Sequence, residues 1–218
     1  MPSGVLPEAR LHCVPLYHHR VDLTAFILAG GKSTRMGRDK AFLPWEGGTL
    51  LSHALSLATS VAGAVWIVGS KGKFANFGSV VEDVYPDRGP LGGIHAALTS
   101  TAADLNLMLA VDLPFINPRI LDYIVAQARK SGAVVTVARS GGRWQPLCAV
   151  YRRAFAKVAE LSLKEGKNRI DPLFAQVDTR VIEEDELAWA GFSPDMFRNL
   201  NTPDDLERAT QNQGSNLQ

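Results

Sequence analysis

Cysteine is nearly absent: Cys13 and Cys148 are the only two in 218 residues, and they lie far apart. That scarcity argues against a disulfide framework or a cysteine-rich zinc site. It leaves one loose thiol and one small buried apolar residue, and it fits a reducing, cytoplasmic setting. No apolar run reaches the roughly 20 residues that a membrane-crossing helix needs. Charge of either sign is missing in excess, since 23 basic against 22 acidic residues leave a formal net charge of +1. A nucleic-acid partner would call for clustered basic surface, so none is expected, and any phosphate chemistry must be local. No Ser-His-Asp set stands out, and apart from His53 and His95 the histidines fall in the leading segment. There His18 and His19 read as solvated terminal residues sooner than as a metal site. Residues 1–21 carry scattered prolines and no continuous hydrophobic stretch, so they read as a flexible extension and not as a signal peptide. Residues 211–218 are polar and are expected to form a disordered tail. Between them, 22–210 has the length of a single α/β domain, and no linker divides it.

The stretch LTAFILAGGKSTRMGRDK, residues 23–40, is the part that the rest is organised around. Its apolar run from Ala25 to Ala29 ends at Gly30-Gly31 and passes into a small, basic segment, as a buried parallel strand does when it empties into a loop. Paired glycines let the backbone bend sharply and let a ligand approach the main chain. Lys32, Arg35 and Lys40 follow, with Gly37 between them, so N–H groups and cations can surround a polyphosphate. Gly31-Lys32-Ser33 imitates the end of a Walker A loop. That loop needs its first glycine five residues earlier, where this chain has Phe26. The dinucleotide fingerprint also fails, because the two glycines are adjacent and no third falls at the right offset.

Downstream, Thr49–Ala62 has the leucine spacing of a helix, and Ala64–Val68 is a second buried strand, which makes a βαβ unit with parallel strands. Ser79–Val81 is a short strand ending in Glu82-Asp83, and acids at strand ends face the crevice where open α/β sheets bind ligands. Arg88-Gly89-Pro90-Leu91-Gly92-Gly93 precedes a helix expected over Ile94–Ser100; it is either a tight turn or a second anion-binding helix terminus. Leu105–Val111 is the most hydrophobic segment and terminates in Asp112-Leu113-Pro114. Asp112 either caps the next turn or presents a carboxylate to hold a hard cation such as Mg2+. Helices are expected over Pro118–Lys130 and Phe155–Gly166, and strands over Ala133–Ala138, Leu147–Tyr151 and Arg180–Ile182. The first two of these strands, with no helical pattern between them, pair antiparallel or form a mixed sheet edge. Thr202 and Pro203 suit the start of a final helix, Asp204–Thr210.

The ordered set formed by L-A-G-G-x-S-x-R-M-G-x-D-K, Glu82-Asp83, Gly89–Gly93, Asp112-Leu113-Pro114, Gln145-Pro146-Leu147 and Asn199–Pro203 resembles the nucleotidyltransferases related to nucleotide-sugar pyrophosphorylases. Within them it is most similar to the molybdenum cofactor guanylyltransferases, the MobA-type enzymes. The resemblance covers almost all of the chain after its first twenty-odd residues. It implies a Rossmann-like, three-layer fold of the nucleotide-diphospho-sugar transferase kind, with a mostly parallel, mixed-edge sheet. It also implies transfer of GMP from GTP to the phosphate of molybdopterin or Mo-molybdopterin, with pyrophosphate released. By position, Leu28, Ala29, Gly30 and Gly31 would meet the nucleotide, Lys40 the phosphates and Asp83 the guanosine side. Gly92, Gly93, Arg169, Asn199 and Asn201 match positions at the pterin end, although Asn199 and Asn201 can equally fix the last turn and Arg169 can be a surface cation. Proteins that deliver the acceptor or receive the product are the further partners expected.

Attack on an α-phosphorus needs charge neutralisation more than proton transfer, and a phosphate acceptor is already anionic. Asp112 would then hold Mg2+, or Mn2+ in its place, while Arg35 and Lys40 stabilise departing pyrophosphate. Where the family often has a polar contact after its second strand, this chain has Val68-Gly69-Ser70, which leaves the base contact there unassigned. Two rival readings remain. One is a CTP-dependent nucleotidyltransferase of the same fold, acting on molybdopterin or on a sugar or alcohol phosphate; its relatives tend to L-A-A-G where Leu28-Ala29-Gly30-Gly31 stands here, which favours GTP. The other is a non-catalytic nucleotide-sensing module, against which Arg35, Lys40 and Asp112 together argue. Deleting residues 1–20 is expected to leave a soluble, folded domain, checked by circular dichroism and thermal melting; loss of soluble protein would make the extension structural.

Overall fold

In the computed structural model, residues 22–30, 39–200, 205–207 and 209 are described. The chain runs through β1 (Leu23–Leu28), a hairpin of β2 (Pro44–Trp45) and β3 (Gly48–Thr49), α1 (Leu50–Val61), β4 (Ala64–Val68), the single turn α2 (Lys71–Phe74), β5 (Ser79–Val81) and α3 (Pro90–Ser100). It continues through β6 (Leu105–Ala110), α4 (Pro118–Ser131), β7 (Val135–Ser140), β8 (Arg143–Arg152), α5 (Phe155–Lys164), β9 (Thr179–Ile182) and α6 (Glu184–Trp189). Seven strands form one sheet in the order β5-β4-β1-β6-β8-β7-β9.

Burial explains the sheet's centre. All six residues of β6 are buried, and five of six in β1, because helices cover both faces. On one side, Leu50, Leu51 and Leu57 of α1 and Ile120, Leu121 and Ile124 of α4 pack with Ile27, Leu107 and Leu109. On the other, Leu91, Ile94 and Leu98 of α3 and Phe155 and Leu163 of α5 pack with Phe26, Met108 and Tyr151. This is the three-layer α/β arrangement that the family resemblance implies. Asn106, the polar residue fully buried in β6, donates from Nδ2 to the carbonyls of Ala103 and Asp104 at 3.0 and 3.1 Å.

Helix limits follow local chemistry. Thr49 and Ser52 form a reciprocal capping box ahead of α1. Asn117 accepts from the Ile120 N–H ahead of α4, with Pro118 in the first turn. Helix α3 begins at Pro90, four residues before the expected Ile94, because proline presets the helical φ and Gly92-Gly93 continue the first turn instead of preceding it. The expected link before Leu147 shrinks to Gly141-Gly142, whose φ of 58° and 69° make the two-residue turn of a hairpin.

Strand β8 is antiparallel to both neighbours, and the other pairings of the sheet are parallel. It lies inside the sheet, two places in from the edge, because β7 and β9 both extend the sheet past it. The β2–β3 hairpin, α2 and α6 are too short to carry a periodic pattern and have no counterpart in the sequence reading. Residues 205–207 and 209 are helical, within the expected last helix, while Thr202 and Pro203 lie outside the described residues. Among the described residues no helix is long and apolar enough to cross a membrane.

Leu107 is fully buried at the centre of β6. Leu107→Ala is expected to lower unfolding stability by about 2–5 kcal/mol, read as a lower urea midpoint with an unchanged slope. A shift under about 0.5 kcal/mol would contradict the packing described.

Candidate active site

Parallel strands share one carboxyl edge, so the residues just past β1, β4, β5 and β6 converge there. Leu28 is registered with Ala110 on one side and Val68 on the other. Gly30 and Asp112 therefore each stand two residues past the last pair on adjoining strands. Main-chain bonds join these exits. The Ala29 and Gly30 N–H groups both donate to the Val68 carbonyl at 3.0 Å, the Val111 N–H to Leu28, and the Gly69 N–H to Val81 at 2.9 Å. The first two N–H groups of the glycine loop are thus committed to the sheet. Gly31 and Arg35 lie outside the described residues.

Lys40 returns the chain to this edge. It opens a short 3-10 turn, Lys40–Phe42, capped by Asp39, whose Oδ1 accepts from the Ala41 N–H. From there Lys40 Nζ donates to Asp112 Oδ2 at 3.0 Å, across 72 residues of sequence, with both side chains about four-fifths buried. The Asp112 carbonyl accepts from Leu200 N–H at 3.0 Å, which brings Asn199 beside the same strand exit; Asn201 lies outside the described residues. His53 is used structurally, with Nε2 at 3.0 Å from the Pro114 carbonyl and its ring beside Trp45.

Asp83 leaves β5 and lies over the first turn of α3. A β-carbon at Gly92 would stand 2.5 Å from its Oδ2 and 2.9 Å from Oδ1, so only glycine admits the carboxylate. Asp83 Oδ1 accepts from Tyr85 N–H at 2.8 Å. Burial raises its carboxyl above the ordinary value, against the lowering effects of that bond and of His95. His95 is itself lowered, chiefly by burial, and packs edge-on to Tyr85. Asp83 and Gly92 match opposite ends of the ligand in the resembled family, yet here they touch. Gly93 serves packing: a β-carbon there would come within 3.3 Å of Val68 and 3.4 Å of Leu28. Arg169 is brought to nothing at this edge; its side chain is 82% exposed and lies 3.7 Å from Asp171. Burial pushes the Cys148 thiol up to about 12, as suits an inert core residue.

Among the described residues no three acids, histidines or cysteines gather into a group that would hold a metal ion alone. A single strand-end carboxylate suits Mg2+ nonetheless, because this ion keeps several waters and is commonly held by one or two carboxylates together with substrate phosphates. The sequence reading missed Phe74 and Lys73 of α2. Lys73 Nζ pairs with Asp39 Oδ2 at 2.9 Å, and the Phe74 ring lies 5.7 Å from that of Phe42. A four-residue helix gives no periodicity to find them by.

A basic 3-10 turn, a strand-end acid and glycine-lined strand exits lie together on one parallel edge, the place where open α/β sheets bind their ligands. The model of the MobA-like NTP transferase domain matches residues 25–179. A molybdenum cofactor guanylyltransferase of Syntrophotalea carbinolica is 34% identical over 189 residues, covering 85% of this chain and 89% of the relative. A protein of Pelotomaculum thermopropionicum, named as a probable molybdenum cofactor guanylyltransferase, is 35% identical over 188 residues, covering 85% and 91%. The crystal structure of molybdopterin-guanine dinucleotide biosynthesis protein A from Archaeoglobus fulgidus superposes with a TM-score of 0.77 at 24% identity, covering 88% and 99%, a likeness of fold. Matched across its strands, helices and strand-end loops alike, the chain belongs to the MobA-like NTP transferase family and is a nucleotidyltransferase.

Proposed function

We propose that the chain transfers GMP from GTP to the phosphate of molybdopterin, or of its molybdenum-loaded form, giving the guanine dinucleotide cofactor and pyrophosphate. The observation that carries this reading is the contact of Lys40 Nζ with Asp112 Oδ2 at 3.0 Å, at the edge where open α/β sheets bind nucleotides. The names of the relatives from Syntrophotalea carbinolica and Pelotomaculum thermopropionicum support the choice of GTP and of the acceptor.

An acceptor phosphate oxygen attacks the α-phosphorus, a new P–O bond forms there, and the bond to the β-phosphate oxygen breaks with its electron pair leaving on pyrophosphate. The acceptor is already anionic at neutral pH, so no base has to remove a proton. The chain's task is orientation and charge stabilisation. Lys40 turns from Asp112 to the triphosphate, and Arg35 adds a second cation to the leaving group. Asp112 would hold Mg2+, which would supply neutralisation of the developing charge. Asp83, Leu28, Ala29, Gly30 and Gly31 bound the nucleoside side, and Gly92 and Asn199 the acceptor side.

Asp112→Asn is expected to lower turnover by about 100-fold or more while GTP affinity changes little, measured by pyrophosphate release and by calorimetric titration. Near-normal turnover would rule out the metal-holding role. With purified protein, Mg2+ and molybdopterin, GTP is expected to release pyrophosphate faster than CTP, with the dinucleotide product identified by mass. A preference for CTP would transfer the reading to a cytidylyltransferase, and release from neither would favour a sensing module.

A further inference from the structure

Arg198 stands immediately before the Asn199–Pro203 block and belongs to none of the motifs read from the sequence. Its guanidinium carbon lies 4.4 Å from the centre of the Phe115 ring, a stack of cation on aromatic face. Arg198 is exposed and Phe115 half-buried. A second stack, Arg139 on Trp144 at 4.7 Å, is already engaged, because Arg139 also stands 3.8 Å from Glu183. Among the described residues Arg198 makes no ion pair and no side-chain hydrogen bond, so the ring holds the guanidinium while its N–H donors stay unclaimed.

The ring that carries Arg198 is itself fixed. Trp45 meets Phe115 edge-on at 5.5 Å and 88°, and Trp45 is 4% exposed in β2, directly downstream of the Lys40 turn. His53 packs on Trp45 and contacts the carbonyl of Pro114, the residue before Phe115. The other partner is tied as firmly, since Leu200, two residues past Arg198, donates its N–H to the Asp112 carbonyl at 3.0 Å. Phe115 stands three residues past Asp112, a reach of at most roughly 11 Å of chain. Both halves of the stack are thereby anchored to the strand exit that carries Asp112.

We propose that Arg198 binds the phosphate of the acceptor, its planar fork holding two phosphate oxygens and leaving the third to attack the α-phosphorus. This rests on the reading that the chain joins an NTP to a phosphate-bearing acceptor. Two polyanions have to be brought together, and Lys40, Arg35 and the metal are all assigned to the triphosphate, so the acceptor phosphate needs a cation of its own. Arg169, the cation matched to the acceptor end by order in the chain, is 82% exposed and lies 3.7 Å from Asp171. Arg198 is the arginine that the fold brings to the Asp112 exit. A guanidinium stacked on a ring has its plane set in advance, which suits bidentate capture of a phosphate better than a flexible ammonium would.

The test uses the full chain with Mg2+, GTP and molybdopterin, and compares wild type with Arg198→Ala, Arg198→Lys and Phe115→Leu. Arg198→Ala is expected to raise KM for molybdopterin at least about tenfold, with kcat within about twofold and with GTP affinity, measured by calorimetric titration, unchanged. Arg198→Lys keeps the charge and loses the fork, so a smaller rise is expected, and Phe115→Leu moves the same constant in the same direction. Added salt is expected to raise the acceptor KM of wild type by a larger factor than that of Arg198→Ala. Melting temperatures measured alongside separate binding from packing: a merely structural stack would lower melting without moving the acceptor KM. Should Arg198→Ala not fold, Arg198→Gln, which keeps length and loses charge, takes its place. An unchanged acceptor KM in the folded variant, or a loss that falls on GTP affinity instead, would overturn the inference while leaving the wild-type reaction standing. Wild type that releases no pyrophosphate from GTP with molybdopterin sinks the reading beneath it as well.

Discussion

Two oppositely charged side chains, Lys40 and Asp112, meet at 3.0 Å although 72 residues separate them. Both are largely buried, so each is held in a setting where an uncompensated charge is costly. Their meeting requires β1 and β6 to be neighbours in parallel, with Leu28 opposite Ala110, so that the loops leaving both strands emerge at one edge. A shift in that register would carry the loops leaving β1 and β6 apart along the edge. The apolar core therefore sets where the charges stand, and the charges give the edge its chemistry.

The rest of the edge is built from main chain. The Val68 carbonyl accepts two N–H groups from the β1 exit and the Val81 carbonyl one from the β4 exit, while the Glu82 side-chain carboxylate accepts one from the start of α2. Side chains are removed wherever they would interfere: at Gly69 under the Phe74 ring, and at Gly92 under the Asp83 carboxylate. The result is a shelf of glycines flanked by a lysine and two acids.

Much of this was legible in the sequence for a specific reason. Long buried strands such as Leu105–Ala110 and helices with a clean apolar face such as α4 repeat their signal over many residues. Strand-end acids are visible because a carboxylate directly after a greasy run has few structural uses. Four-residue elements were not legible, and neither was the reach of a single ring from α2 back to Gly69, which depends on tertiary folding. The start of α3 was misplaced because Gly-rich segments read as turns, and only the contact of Gly92 with Asp83 explains glycine inside a helix. Strand β8 lies inside the sheet because β7 pairs on its far side, and β7 is itself covered by β9, a strand contributed after an intervening helix. The match of Arg169 to the pterin end rests on order in the chain, and its exposed side chain gives that match no geometric support.

A crystal structure of the protein with GTP and Mg2+ tests the central claim most directly. The account predicts the triphosphate at the carboxyl edge of β1 and β6, with Lys40 Nζ turned to a phosphate oxygen and Asp112 on the metal. A nucleotide bound elsewhere, or one bound at this edge with the Lys40–Asp112 pair intact and the metal on other residues, would contradict it.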